Sequence, residues 1–175
     1  LEYNRSMERL KEHIRAGNTY QVNYTMRLRA RFLGDPWHLF LAMVKAQSPG
    51  YAAWVDIGTH AICSASPELF FRLGGNRLTG KPMKGTVRRG RTPDEDVSLA
   101  DWLRSSEKNR AENLMILDMI RNDLGRVAEV GTVRVPAIFE TERHPTLWQM
   151  TSTVTASCRK SLSEIFAALF PCASI

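Results

Sequence analysis

The sequence predicts an α+β fold, with antiparallel strands grouped apart from the helices, and three observations lead there. Five short strand-like runs follow one another between residues 51 and 88. Two of them are separated by Gly74-Gly75-Asn76, a hairpin signal that makes neighbouring strands antiparallel. The helical patterns stand before and after this block rather than alternating one-for-one with strands, as a wound parallel sheet would require. With 175 residues, 43% of them apolar, the chain can bury one sizeable core without a second domain.

In chain order, Tyr3 to Ala16 has the period of an amphipathic helix, with Met7, Leu10 and Ile14 on one side and Gly17-Asn18 as its stop. Tyr20 to Phe32 alternates as a strand. Asp35 caps a short helix with Pro36 at its first position, running through Leu39, Phe40, Met43 and Val44. The strand block then reads Tyr51 to Ile57, Ala61 to Ala65, Leu69 to Leu73, Arg77 to Thr79 and Met83 to Arg88. Thr92-Pro93-Asp94-Glu95 opens a helix through Trp102 and Leu103, and Ser106 caps a longer one reaching about Val127. Thr132 to Ile138 and Leu147 to Thr155 are further strands, and the last stretch, Ser161 to Ile175, reads as an apolar helix running into Phe170-Pro171.

The net charge of +6 fits an anionic partner, but the basic residues are scattered and aromatic residues are few. Neither a stacking platform nor a basic recognition helix is present, which argues against nucleic acid. Cys63, Cys158 and Cys172 are odd in number and widely spaced, so no disulfide framework or zinc site is indicated, and a reducing cytoplasm fits best. No apolar run approaches the ~20 residues that span a bilayer. The chain starts at Leu rather than Met and stops just after an apolar helix, so we expect a longer protein in both directions.

Two segments carry the chemistry. In the first, Ser66-Pro67-Glu68 leads into an apolar strand, and after the hairpin comes Gly80-Lys81-Pro82-Met83-Lys84-Gly85-Thr86. Spacing alone fits a surface acid and a surface lysine. In the second, from Lys108 to Asp123, a helical wheel at ~100° per residue puts Glu112 in one stripe with Met115, Ile116, Met119 and Ile120. Arg110, Asp118 and Arg121 fall opposite. An inward carboxylate must be protonated, paired or metal-bound. For Glu112 an internal ion pair, to Lys108 for instance, and a metal ligand both remain open, and Asp123 has the same ambiguity.

Taken in order, Ser66-Pro67-Glu68, Pro82-Met83-Lys84-Gly85-Thr86 and the run from Lys108 to Arg126 resemble the chorismate-binding enzyme family. Gly17 to Tyr24 is similar to that family's early strand, and Phe170 to Ile175 to the start of its late active-site segment. The resemblance implies antiparallel sheets with helices packed outside, and residues 1–175 as one partial catalytic domain truncated at the C-terminus. It implies chorismate as substrate.

Lysine at position 84 resembles the aminodeoxychorismate synthase branch, whereas anthranilate synthases characteristically carry alanine there. Gln21 stands where isochorismate and salicylate synthases have a water-activating lysine. The resemblance therefore implies Lys84 as nucleophile, Glu68 as general acid and Gly85, Thr86, Gln21 and Gln149 as substrate-binding residues. It further implies Mg²⁺ with Glu112 as one ligand, and ammonia from a glutamine amidotransferase (glutaminase) partner. Lys81, Arg88 and Arg89 are the cations expected to ease loss of the Lys84 proton. Where relatives have His-Leu-Val-Ser this chain has Gln149-Met150-Thr151-Ser152, so the histidine's role passes to Gln149 rather than His144. The chain ends before the family's Gly-Ala-Pro-Lys segment and second magnesium glutamate, which implies that this span alone is inactive. The competing expectations are an anthranilate synthase with an unusual lysine and a truncated anion-binding or assembly module.

Overall fold

A computed structural model describes residues 2–172. Leu1 and residues 173–175, the end of the segment likened to the late active-site run, lie outside the described residues. The chain divides into two units, one up to Leu33 and one from Gly34 onward.

In the first unit, helix α1 (Glu2–Arg15) ends where Gly17, at φ 73°, turns the chain. The strand expected from Tyr20 to Phe32 does not form. Its alternation is genuine, but it pairs with no strand among the described residues, and its side chains are largely exposed, Leu28 at 87%. A strand without a neighbour leaves its backbone N–H and C=O groups to solvent, and side-chain period alone does not hold it.

In the second unit, α2 (Pro36–Gln47) starts as expected, the Asp35 carboxylate accepting from Trp37 N at 2.8 Å. It packs on an antiparallel hairpin of β1 (Tyr51–Asp56) and β2 (Ala61–Ser66), where Trp37, Phe40 and Trp54 form one aromatic cluster. The remaining strands, β3 (Leu69–Gly74), β4 (Arg77–Lys81), β5 (Met83–Arg88), β6 (Arg134–Arg143) and β7 (Leu147–Ser157), form a second antiparallel sheet. β7 lies at its centre. β4 pairs with the Val154–Ser157 end of β7 and β5 with its Leu147–Thr151 end, so the two lie end to end along one edge, bent at Pro82. β6 runs along the other edge.

Helices α3 (Pro93–Ser105), α4 (Glu107–Gly125) and α5 (Leu162–Leu169) begin at the side-chain caps Thr92, Ser106 and Ser161. α4 covers one face of the sheet, and its Ile116, Leu117, Ile120 and Leu124 join Leu78, Val154, Ala156 and Ile165 in the core. The approach is close at Gly80, where an added Cβ would stand 2.9 Å from Ile120 Cγ2.

Two expectations need correction. The buried stripe of α4 is Asn113, Ile116, Leu117, Ile120 and Leu124, so Glu112 borders it instead of lying inside, with 44% of its side chain exposed. Met119, placed inward on the wheel, is 37% exposed. β6 continues five residues past Ile138 because a bulge at Phe139, φ 57°, shifts the register and breaks the period-2 reading. Among the described residues no helix is long and apolar enough to cross a membrane.

Candidate active site

Lys84 follows directly on a residue that Glu68 holds. The Ser66 hydroxyl accepts from Glu68 N at 3.1 Å and lies 3.0 Å from Glu68 O, closing a tight turn over Pro67. From there the Glu68 carboxylate accepts from the backbone N–H of Met83 at 3.3 Å. The structure thus brings the predicted acid to the residue preceding the predicted nucleophile, across 15 positions of sequence.

From the other side, the Lys84 backbone is held by a residue that sequence reasoning missed. The Asn113 side-chain amide donates to Lys84 O at 3.3 Å and to Met150 O at 3.1 Å, while its carbonyl accepts from Ser152 Oγ at 2.5 Å. With three partners, Asn113 is fully buried in the helix stripe that a hydrophobicity wheel reserves for apolar residues. The available signal was asparagine itself, a poor residue for a helix interior unless its amide has work elsewhere.

Gly85 sits at φ 97°, and an added Cβ would meet Asn109 Cβ at 3.1 Å and Leu103 Cδ1 at 3.2 Å. The Gly-Thr step after Lys84 therefore lets β5 bulge between Met83 and Thr86 and lie close under α3 and α4. Beyond it the strand end is clamped. Asp96 accepts from Arg89 Nε at 2.7 Å, Arg89 Nη2 at 2.5 Å, Gly90 N at 2.8 Å and Trp148 Nε1 at 3.0 Å. The Arg89 guanidinium beside Asp96 holds that carboxyl well below the usual carboxylate range against the opposing effect of burial, with help from Gly90 and Trp148. Arg89 also donates to His144 O at 3.0 Å, tying the β6–β7 turn to β5.

The cations expected to ease deprotonation of Lys84 are each committed to a carboxylate: Lys81 to Glu142, Arg88 to Glu95 and Arg89 to Asp96. Every pair offsets its own field, so the sequence-based account of a cationic neighbourhood does not hold in that form. The reason is topological, because the acids arrive from β6 and α3, which spacing along β5 does not reveal.

Across the sheet, Thr86 lies opposite Gln149, and Gln149 opposite Glu142. Ser152, Val154 and Ala156 face α4, so by strand alternation Gln149 and Thr151 occupy the other face. On that face Glu142 Oε1 accepts from Thr151 Oγ1 at 2.9 Å and pairs with Lys81. Thr86 and Gln149, each chosen from the resemblance, thus lie side by side, and Glu142 joins them unforeseen.

Glu112 has only a loose ion pair with Lys108, at 3.9 Å, which is the simpler of its two sequence readings. Burial raises the Asp123 carboxyl above its ordinary range, with Arg126 opposing. Among the described residues no group of three His, Cys, Asp or Glu could hold a metal. Mg²⁺ takes one or two carboxylates and completes its shell with water and substrate oxygens. Glu112 can supply one such oxygen, and the rest of a metal site is not assembled in these residues. Gln21 belongs to the first unit, where its amide donates to Asn23 Oδ1 at 3.4 Å.

The chain belongs to the chorismate binding enzyme family, whose model matches residues 1–175. It is 39% identical over 99% of its length to aminodeoxychorismate synthase component 1 of Escherichia coli, and 43% identical over 92% of its length to aminodeoxychorismate synthase of Streptomyces griseus. It is also 34% identical, over 99% of its length, to anthranilate synthase component 1 of Aquifex aeolicus. The chain spans only part of these relatives, 39%, 23% and 36% of their respective lengths. Among solved structures, anthranilate synthase component I of Streptococcus pneumoniae superposes with a TM-score of 0.67 at 29% identity, covering 80% of this chain and 30% of that one. The menaquinone-specific isochorismate synthase of Escherichia coli shares the fold, with a TM-score of 0.54 at 24% identity over 62% of this chain and 24% of that one.

Proposed function

We propose that the protein in its full-length form is an aminodeoxychorismate synthase of the component 1 type, which converts chorismate and ammonia to 4-amino-4-deoxychorismate through a covalent adduct on Lys84. The observation that carries this reading is a lysine on the bulged strand β5, directly after the residue whose N–H is bound by Glu68. Aminodeoxychorismate synthases among the similar proteins support it.

The Lys84 amine attacks C2 of the ring as the C4 hydroxyl leaves, and Glu68 protonates that hydroxyl so that it departs as water. Ammonia then bonds to C4 as the C2–N bond breaks, which releases the neutral Lys84 amine, and the proton shed by the new amine returns to the Glu68 carboxylate. Asn113 fixes the backbone on which Lys84 stands, and Gly85 admits the bulge that sets its direction. Thr86, Gln149 and Gln21 bind substrate. Mg²⁺, held in part by Glu112, would offset the charge between protein carboxylates and the ring carboxylate. Ammonia comes from a glutaminase partner, and the product feeds p-aminobenzoate and folate synthesis in the cytoplasm.

The similarity to anthranilate synthase component 1 of Aquifex aeolicus supports a second reading, amination at C2 to give anthranilate. Incubating the full-length protein with chorismate and ammonium chloride separates the two. Aminodeoxychorismate is the expected product, and anthranilate with pyruvate would overturn the first reading.

A further inference from the structure

Two bulges flank β7, one on each neighbouring strand. On β5, Lys84 and Gly85 stand between the pairs Met83–Thr151 and Thr86–Gln149, opposite Met150 alone. On β6, Ile138 and Phe139 stand between Ala137–Thr153 and Glu140–Thr151, opposite Ser152 alone. Each bulge carries a residue in the left-handed region, Gly85 at φ 97° and Phe139 at φ 57°. We propose that the β6 bulge is a positioning device for Lys84, in which Phe139 and Ser152 set the Asn113 amide that holds the Lys84 backbone; the inference rests on the role given to Lys84 above.

Every donor and acceptor along this path is forced. The end of the Asn113 amide that faces Lys84 O and Met150 O meets two carbonyl oxygens, which only accept, so that end is the NH₂ group. The end facing Ser152 Oγ at 2.5 Å is therefore the carbonyl, and the hydroxyl donates to it. Serine has one hydroxyl proton, and with that proton committed its oxygen accepts from Phe139 N at 3.1 Å. Donation thus runs in one direction, from the β6 bulge through Ser152 and Asn113 to the carbonyl of Lys84. Asn113 and Ser152 are fully buried, so solvent does not replace a partner that is lost.

The bulge is what frees the Phe139 N–H. An inserted residue is left out of the ladder, and here its N–H turns onto a side chain of the central strand. A bulky residue at positive φ is an uncommon and costly conformation, and such strain collects where function needs it. α4 grips the same bulge a second time, since the Arg110 guanidinium lies 4.7 Å from the centre of the Phe139 ring, one turn before Asn113 on the helix. Ser152 N also donates to Pro82 O at 3.1 Å, which ties the residue that orients Asn113 to the start of the lysine strand. Without the Ser152 hydroxyl the Asn113 amide is free to turn its oxygen toward Lys84 O, and the lysine strand loses its fixed direction.

The test is steady-state kinetics of the full-length protein with chorismate and ammonium chloride, alongside hydrogen–deuterium exchange of the peptide spanning Met83–Arg88. Phe139→Val and Phe139→Gly both remove the ring and its contact with Arg110, but only glycine adopts φ 57° freely. Phe139→Val should lower kcat about ten- to a hundredfold, as misplacement of a reacting group does. It should leave KM for chorismate within about twofold, because binding is not what the bulge sets, and should speed exchange in β5. Phe139→Gly should retain most of the activity that valine loses, with β5 exchange as in the wild type. Ser152→Ala should act as Phe139→Val does, and serves if the valine variant fails to fold. Equal losses in the valine and glycine variants would assign the effect to the ring and overturn the proposal. Wild-type kcat and unchanged β5 exchange in Ser152→Ala would overturn it as well. If Lys84 forms no adduct with chorismate, the nucleophile reading fails, while exchange in β5 still decides whether the β6 bulge holds that strand.

Discussion

Replacing Asn113 by alanine tests how the strand bearing Lys84 is held in place. The substitution removes two donors and one acceptor, leaving Lys84 O, Met150 O and the Ser152 hydroxyl without their partner in a fully buried position. Each satisfied bond contributes about 0.5–1.5 kcal/mol net, and each polar group left buried and unpaired costs about 1–3 kcal/mol. Some relaxation toward neighbouring groups reduces the sum, and about 3 kcal/mol is the expected destabilisation. Urea unfolding of the wild type, Asn113→Ala, Ser152→Ala and the double variant measures it. The Asn113–Ser152 pair should show a coupling of about 1 kcal/mol in that cycle, because the two groups are in direct contact. Activity should fall further than folding alone explains, since Lys84 O is one of the released groups. A loss below about 1 kcal/mol with additive single effects would refute the reasoning.

Two further outcomes follow from the same neighbourhood. Gly85→Ala forces a Cβ at φ 97° against Asn109 and Leu103, and should cost about 1–3 kcal/mol with loss of the bulge, read by unfolding and by activity. For Asp96, the folded carboxyl is held below its ordinary value, so the unfolded chain binds the extra proton. The stabilisation is therefore complete above the unfolded value of about 3.9 and is lost as pH falls through the lowered folded one. Urea midpoints at pH 6 and pH 3 should show Asp96→Asn losing less on acidification than the wild type. Glu164, held at about 2 chiefly by the Ser161 N–H and hydroxyl, leaves part of the slope in both proteins. An identical pH dependence with and without Asp96 would contradict the clamp.

What could be read from the sequence was local. Asp35 before Pro36, Thr92 before Pro93, and Ser106 three residues ahead of the N–H group it caps all act within one turn, and these three helices start where the sequence placed them. Gly75, at φ 58°, turns the β3–β4 hairpin in the same way. What failed depended on partners far along the chain. Tyr20 to Phe32 has the period of a strand, but period does not supply a neighbouring strand. Glu112 was placed inward because its neighbours are apolar, whereas Asn113 takes the buried place by bonding three groups on β5 and β7. In the candidate site, the approach of Glu68 to Met83 and the pairing of Thr86 with Gln149 bring together residues that the motifs named one by one, without their contacts. Glu142 and its ion pair with Lys81 were invisible, since about 60 residues separate partners that only the β6–β7 register brings together.

The central claim is that Lys84 is a nucleophile, and trapping tests it most directly. The full-length protein, supplied with chorismate and deprived of ammonia and glutamine, should accumulate a covalent species heavier by one chorismate less one water. Peptide mapping by mass spectrometry should place the added mass on Lys84, and Lys84→Ala should show none. Absence of any adduct, or an adduct on Lys81 with Lys84 unmodified, would contradict the account.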